Sequence, residues 1–403
     1  MDYKKLYSDT AHSIKASAIR ELLKVTARPE IISFAGGLPD SNLFPEKEIA
    51  EAMQEVLTST PKEALQYGTT EGQMSLKKEL VSLLKESEDI DALPEQLLVV
   101  SASQQGLDMT ARIFLNRGDA IITASPTYLG ALQAFAASGA DMFGAESDEY
   151  GVLPSAIEAR LEELKTAGRQ CKFIYLVPDF QNPNGLTIPE NRRLEILELA
   201  EKYGTLIVED SPYRQVRFEG KAPKTFYKLD AGRGNVITLF TFSKVFVPSF
   251  RLGYVLAPKE VIQKYVILKQ AMDLCTSPVL QLAAAAYLKK GHLLKHVEEV
   301  VTVYRQKRDL MLKMLEEHMP QGVKWTKPEG GLFLWVTLPE HIDAQVLLQQ
   351  SLEQNVAYVA GVDFYPPRDA RRNDLRLNFS YSTPAQIEEG IKRLATTIKK
   401  VLA

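Results

Sequence analysis

Short apolar runs and amphipathic stretches alternate through the middle of the chain. Residues 97–101, 120–124, 173–177, 205–209, 236–240 and 254–257 are nearly continuous in apolar residues, the pattern of strands buried on both faces. Between them, 107–115 and 192–203 carry apolar positions at helical spacing. This alternation predicts an α/β fold, with a mostly parallel sheet between helices. Ligands of such sheets sit beyond the carboxyl ends of the strands. From about residue 261 the pattern turns helical, through 281–290 and 296–318, with strand-like runs at 330–336 and 375–379. A second, smaller α+β domain is expected there. A helix expected over 17–25 would place the N-terminal segment near it. The chain thus reads as an N-terminal segment (1–45), a large domain (46–285) and a small C-terminal domain (286–403).

Composition narrows the function classes. The 403 residues are 45% hydrophobic and 25% charged, enough for a sizeable buried core. A net charge of -3 gives no reason to expect nucleic acid or an anionic membrane surface as partner. The polar start Met1-Asp2-Tyr3-Lys4-Lys5 has no apolar core of a secretory signal. No apolar run approaches the roughly 18–20 residues of a membrane span. Cys171 and Cys275, far apart, exclude a disulfide framework and a CxxC metal site, and suit a reducing cytoplasm. His292 and His296 stand four apart without a third ligand at recognisable spacing, so no metal site is expected.

The chemistry concentrates at the predicted strand ends. Lys244 follows the run 236–240 and a Thr241-Phe242-Ser243 turn, a poor place for a solvated charge. It is a good place for an amine that forms a Schiff base, provided cations or partial desolvation keep some of it neutral. Arg251, seven residues on, could lower that pKa and serve a phosphate, together with the Thr241 and Ser243 hydroxyls. Ser103, in Ser101-Ala102-Ser103-Gln104-Gln105-Gly106, is expected to cap a helix whose start suits the same phosphate. Asp210 ends a buried run and needs a cationic partner, such as a protonated pyridine nitrogen, whereas Glu209 should face the other way. Arg376, between Leu375 and Leu377, needs an anion, and a bidentate α-carboxylate fits its fork. Gly36-Gly37 permits close backbone approach to a ligand.

These motifs together resemble the fold-type I pyridoxal-phosphate (PLP) aminotransferases over about residues 15–395. The lysine segment, D-x-x-Y (Asp210, Tyr213) and N-P-x-G (Asn182, Pro183, Gly185) carry the resemblance. It implies a large domain with a seven-stranded-type sheet, PLP as cofactor, and amino acid and 2-oxo acid substrates. Lys244 would hold the cofactor and shuttle the proton. Ser103, Gln104, Thr241, Ser243 and Arg251 would bind the phosphate. Asp210 would pair with the ring nitrogen, Asn182 and Tyr213 with the ring oxygen, and Tyr128 would stack on the ring. Arg376 would take the α-carboxylate, with Gly37 and Asn182 beside the substrate. The Gly36-Gly37 turn, Tyr67, Phe180-Gln181-Asn182 and the Lys–Arg spacing most resemble the branch of 2-aminoadipate, kynurenine and broad-range aromatic aminotransferases. In that branch Tyr67 reaches the neighbouring subunit's cofactor, which implies a homodimer, and Arg20 reads a distal carboxylate. One substrate pair is expected to be glutamate and 2-oxoglutarate. A C–S or β-lyase using the same residues, and a ligand-sensing aminotransferase-like protein without catalysis, are the competing readings.

Overall fold

In the computed structural model, residues 1–14, 22 and 28–402 are described. A two-residue strand, β1 (Ile32–Ser33), precedes the helix Glu46–Ser59. The large sheet then follows: β2 (Leu97–Val100), β3 (Ala120–Ser125), β4 (Asp141–Asp148), β5 (Gly151–Val152), β6 (Cys171–Leu176), β7 (Leu206–Ser211), β8 (Val236–Thr241) and β9 (Gly253–Leu256). Its order is β2-β9-β8-β7-β6-β3-β4-β5. The pairs β3–β4, β3–β6, β6–β7 and β7–β8 are parallel, whereas β9 runs antiparallel to both β8 and β2. Seven long strands with one reversed match the expected sheet, and two-residue β5 adds an edge hairpin on β4. The sequence pattern missed β4. Its acids at 141, 146 and 148 and a central Gly144 dilute the apolar run that a strand inside the sheet shows.

Strand alternation sends side chains to two separate apolar layers. In β6, Phe173 and Tyr175 join one layer with Phe135, Val208 and Leu239. Ile174 and Leu176 join the other with Ile122, Ile207 and Val236. Both faces are therefore dry, which is why these strands read as continuous rather than alternating runs.

The C-terminal part forms a second sheet from β10 (Lys324–Trp325), β11 (Phe333–Thr337), β13 (Val359–Ala360) and β14 (Asp374–Asn378), with β12 (Val356–Ala357) paired instead to β1. Every pair in this sheet is antiparallel, and Arg376 of β14 lies between Trp335 and Val359. The segment after β1 is stitched to the same sheet, because the Asn378 amide donates to the Phe34 carbonyl at 2.8 Å. The long helix His292–His318 and the terminal helix Pro384–Leu402 pack together, and the terminal helix also touches β12.

Candidate active site

Five strand ends of the large sheet open on one cavity of about 230 Å³. β2 leads to Ala102, Ser103 and Gln104, and β3 to Tyr128. β6 leads to Val177 and Asn182, β7 carries Asp210 one residue before its end and leads to Pro212 and Tyr213, and β8 ends on Thr241 and leads to Ser243 and Lys244. Arg251 stands just before β9. Gly37, Leu38, Phe333 and Arg376 close the cavity from the N-terminal segment and the small sheet.

Lys244 Nζ donates to the Gly37 carbonyl at 2.6 Å. Burial, and then the charges of Arg376 and Arg251, push this amine down to about 8. Asp210 is 1% exposed. Its Oδ2 accepts from the Tyr175 hydroxyl at 2.8 Å, while Oδ1 is buried with no hydrogen-bond partner among the described residues. Burial pushes the carboxyl up to about 7, against the lowering effect of Tyr175. A buried carboxylate with one orphan oxygen wants a cationic donor in the cavity. Glu209, next to it, faces the other side as expected, accepting from the Phe226 and Tyr227 amides and from Thr238.

Arg376 is buried among neutral acceptors. It donates from Nη1 to Asn182 Oδ1 at 2.8 Å and from Nη2 to the Ala35 carbonyl at 2.5 Å, and Nε has no partner among the described residues. The guanidinium lies 4.2 Å from the Phe333 ring centroid and 5.1 Å from that of Phe364. Burial without a counter-charge lowers its pKa to about 10. An anion in the cavity would relieve that. Asn182 also donates to the Tyr213 hydroxyl at 3.4 Å, so these three side chains form one chain of contacts.

In the same cavity, the Thr241 hydroxyl donates to Ser243 Oγ at 3.0 Å, and Arg251 Nη1 donates to the same atom at 3.3 Å. Ala102 and Arg251 both adopt left-handed backbone, φ 62° and 51°. Each costs about 1–2 kcal/mol for a non-glycine residue. Gly253 lets these turns close on each other: a Cβ there would stand 2.5 Å from the Phe240 carbonyl oxygen and 3.0 Å from Ser103 N.

Ser103 does not cap the helix, contrary to the sequence expectation. The helix Ala102–Phe114 starts two residues earlier than a Ser103 cap would place it, with Ser101 in the cap position and no side-chain cap bond. The left-handed Ala102 turns the chain abruptly, and Gln105 Oε1 reaches back to take the Ser101 N–H at 2.8 Å. Ser103 and Gln104 therefore lie within the first turn, whose N–H groups have no intrahelical acceptor and suit an anion.

The cavity brings together a cup of hydroxyls, arginine and helix start, a buried arginine bonded only to neutral acceptors, an amine of lowered pKa and a carboxylate with one unpartnered oxygen. The sequence matches the family described as aminotransferase class I and II over residues 29–394. It belongs to that family. The aminotransferase is 45% identical over 400 residues to aromatic-amino-acid aminotransferase 1 of Thermococcus litoralis, covering 99% of this chain and 95% of that one. It is 37% identical over 405 residues to the 2-aminoadipate transaminase of Thermus thermophilus, covering 100% and 99%. Among solved structures, the kynurenine aminotransferase of Pyrococcus horikoshii, in complex with PMP, matches with a TM-score of 0.96 and 44% identity, covering 100% and 99%. The cofactor of this aminotransferase is pyridoxal phosphate. Asp210 Oδ1, the Thr241–Ser243–Arg251 cup and the neutral-prone Lys244 are donor and acceptor types that fit its ring nitrogen, phosphate and aldehyde.

Of the residues expected from sequence that the structure describes, all except Tyr67 line this cavity. Tyr67 is 79% exposed and does not reach the cavity of its own chain. Arg20, with the expected helix 17–25 apart from Leu22, lies outside the described residues. His292 and His296 sit on one helix, and among the described residues no three His, Cys, Asp or Glu side chains group to hold a metal. No helix among the described residues is long and apolar enough to cross a membrane.

Sequence reasoning missed Phe333, Tyr175 and Asp179. Phe333 was read only as part of a strand, although the Gly330-Gly331 pair before it signals a close approach. Asp179, fully buried, accepts from Arg193 at 2.8 Å and Arg214 at 3.0 Å. Burial alone would raise its pKa, but these guanidinium groups and Arg217 hold it below the ordinary range. The cluster clamps the 179–185 turn that presents Asn182 to the segment after Asp210.

Gly130 holds Tyr128 in place. The Tyr128 hydroxyl donates to Gln104 Oε1 at 3.3 Å, and Gln104 Nε2 donates to the Gly130 carbonyl at 3.0 Å. A Cβ at residue 130 would stand 2.5 Å from the tyrosine Cζ and hydroxyl. Gly130→Ala is expected to drive the ring out of position and raise the dissociation constant for PLP by about tenfold, one ring contact of about 1 kcal/mol or more. Equilibrium dialysis of the folded apoenzyme measures this.

Proposed function

We propose that this aminotransferase exchanges the amino group of an aromatic or 2-aminoadipate-type L-amino acid with 2-oxoglutarate, as a cytoplasmic homodimer with shared sites. The convergence of Lys244, the orphan oxygen of Asp210 and the anion-seeking Arg376 on one cavity carries this reading. In it, Ser103, Gln104, Thr241, Ser243 and Arg251 hold the cofactor phosphate. Asp210 stabilises a protonated ring nitrogen, Asn182 and Tyr213 the ring oxygen, and Tyr128 covers the ring. Bound pyridoxal phosphate supplies an electron sink for the substrate's α-carbon.

Arg376 takes the α-carboxylate as a bidentate pair, giving up its bonds to neutral acceptors for a charged one. That orients the α-hydrogen toward Lys244. Because its amine is lowered to about 8, a useful share is neutral near neutral pH and takes that proton as base. Gly37, whose carbonyl accepts from Nζ, steers the amine beside the substrate. The exposure of Tyr67 supports a second copy lying over it, with this tyrosine serving that copy's phosphate. Division of the chain at 45 and 285 remains our domain assignment.

The names of the relatives favour aromatic and 2-aminoadipate donors. A panel of amino donors with 2-oxoglutarate as acceptor, run on wild type and Arg20→Ala, tests the substrate assignment. Both donor classes are expected to react in the wild type, with parallel lines in double-reciprocal plots. The variant is expected to lose at least about tenfold in kcat/KM on 2-aminoadipate and little on phenylalanine, since a lost charge-assisted contact is worth about 1.5–3 kcal/mol. Equal losses on both donors, or no reaction with 2-oxoglutarate, would refute it.

A further inference from the structure

Asp210 has a partner that the family reading does not assign. Its Oδ2 accepts from the Tyr175 hydroxyl at 2.8 Å, and Tyr175 is the one side chain that hydrogen-bonds this carboxylate among the described residues. The contact follows from strand register. β6 and β7 are parallel, with Tyr175 opposite Val208. Asp210 lies two residues beyond Val208, so its side chain emerges on the same face, diagonally next to Tyr175.

The tyrosine ring has little freedom. Phe135, from the helix Leu129–Ala137, meets it edge-on at 5.2 Å and also meets Phe173 at 5.2 Å. Tyr175 is fully buried, and its phenol is far harder to ionise than a free one, because of burial and then the neighbouring Asp210 charge. Its hydroxyl therefore keeps its proton and acts as a permanent donor. A buried hydroxyl and a buried carboxylate each need a partner, and each supplies the other's. One oxygen of the carboxylate is thereby used up, and Oδ1 is left without a partner among the described residues, on a side chain that lines the cavity.

We propose that Tyr175 is a positioning residue for the cofactor ring: its hydroxyl locks Asp210 so that Oδ1 alone, as carboxylate, accepts from the protonated ring nitrogen. The inference rests on the assignment of Asp210 to that nitrogen. Without the phenol the carboxylate gains a second rotamer and loses its one neutral donor, so the pair with the ring weakens while packing is kept. No proton is transferred by Tyr175.

The test uses Tyr175→Phe, which deletes one oxygen and keeps the ring against Phe135. The dissociation constants of PLP and of 1-deaza-PLP, which has carbon in place of the ring nitrogen, are measured on wild-type and variant apoenzyme. The wild type is expected to prefer PLP, and the variant is expected to lose about tenfold of that preference, in line with loss of one hydrogen bond to a charged group. Binding of 1-deaza-PLP should change little between the two proteins. Equal weakening for both ligands would mean that the hydroxyl serves packing alone, and would overturn the proposal. So would an unchanged preference. A wild type with no preference would instead remove the assignment of Asp210 on which the proposal stands. Should Tyr175→Phe fail to fold, the wild-type holoenzyme carries the test by proton NMR. A slowly exchanging, strongly downfield hydroxyl resonance that is lost in Asp210→Ala supports the donor role, and its absence overturns it.

Discussion

Lys244→Ala is expected to abolish transamination together with the visible absorbance of the lysine-linked cofactor. Loss of the base alone lowers turnover by about 10²–10⁴-fold, and loss of the covalent anchor adds to it. Small primary amines added to the variant should restore part of the rate, because Lys244 lines the same cavity as Arg376, the residue proposed to hold the substrate. Steady-state rates with and without such an amine, and absorbance spectra, check this. Unchanged turnover would remove the lysine from the mechanism. Stability should move the opposite way. The folded-state pKa of about 8 lies below the model-compound value of 10.5, so the folded apoenzyme carries a desolvated charge at lower pH. The associated penalty is present below about pH 8 and is relieved as pH rises toward 10.5. The alanine variant lacks it, so its apoenzyme should unfold at higher denaturant below pH 8.

Asp210→Asn is expected to separate stability from activity in the same manner. The carboxyl of the folded apoenzyme sits near 7, against 3.8 for the ordinary group. The folded state thus binds the proton more tightly, and wild-type stability from this group is greatest below 3.8 and is lost as pH rises through about 7. Between about pH 6 and pH 8 that loss is about 1.4 kcal/mol, and the asparagine variant should not show it. Denaturant unfolding of the two apoenzymes at both pH values measures the difference. With cofactor bound the sign reverses. Asparagine offers the ring nitrogen no negative charge, and removing one partner of a buried charge pair costs about 3–5 kcal/mol, so single-turnover rates should fall by about 10²-fold or more. A variant as fast as wild type would show that the ring nitrogen is not held by Asp210.

How much of the site could be read in advance depends on where its residues sit. Lys244, Asp210, Asn182 and Ser103 follow apolar runs whose alternation with helical stretches reads as buried strands, and the carboxyl ends of strands in such sheets are where ligands collect. Arg376 was legible for a different reason, since a charge between two leucines in a strand demands a partner. The pattern failed at β4, whose acids and glycine look like a loop, and at the helix start, where Gln105 rather than a serine satisfies the Ser101 amide. It also left Asp179 looking like an ordinary turn residue. Its three arginines come from positions 193, 214 and 217 and meet only once the sheet has formed.

By itself, then, the sequence determined the strand–helix order, the class of fold and the identity of the groups at the strand ends. These depend on hydrophobic periodicity and local turn chemistry, both encoded over a few residues. Only the tertiary structure decided which groups touch and how each is charged. The register of β6 on β7 places Tyr175 against Asp210, and the antiparallel pairing of β14 with β11 sets Phe333 near Arg376. Burial then pushes Asp210 and Lys244 toward neutrality from opposite sides. Contacts across tens to hundreds of residues and the loss of water around a charge have no local signature in the chain, because both arise from packing.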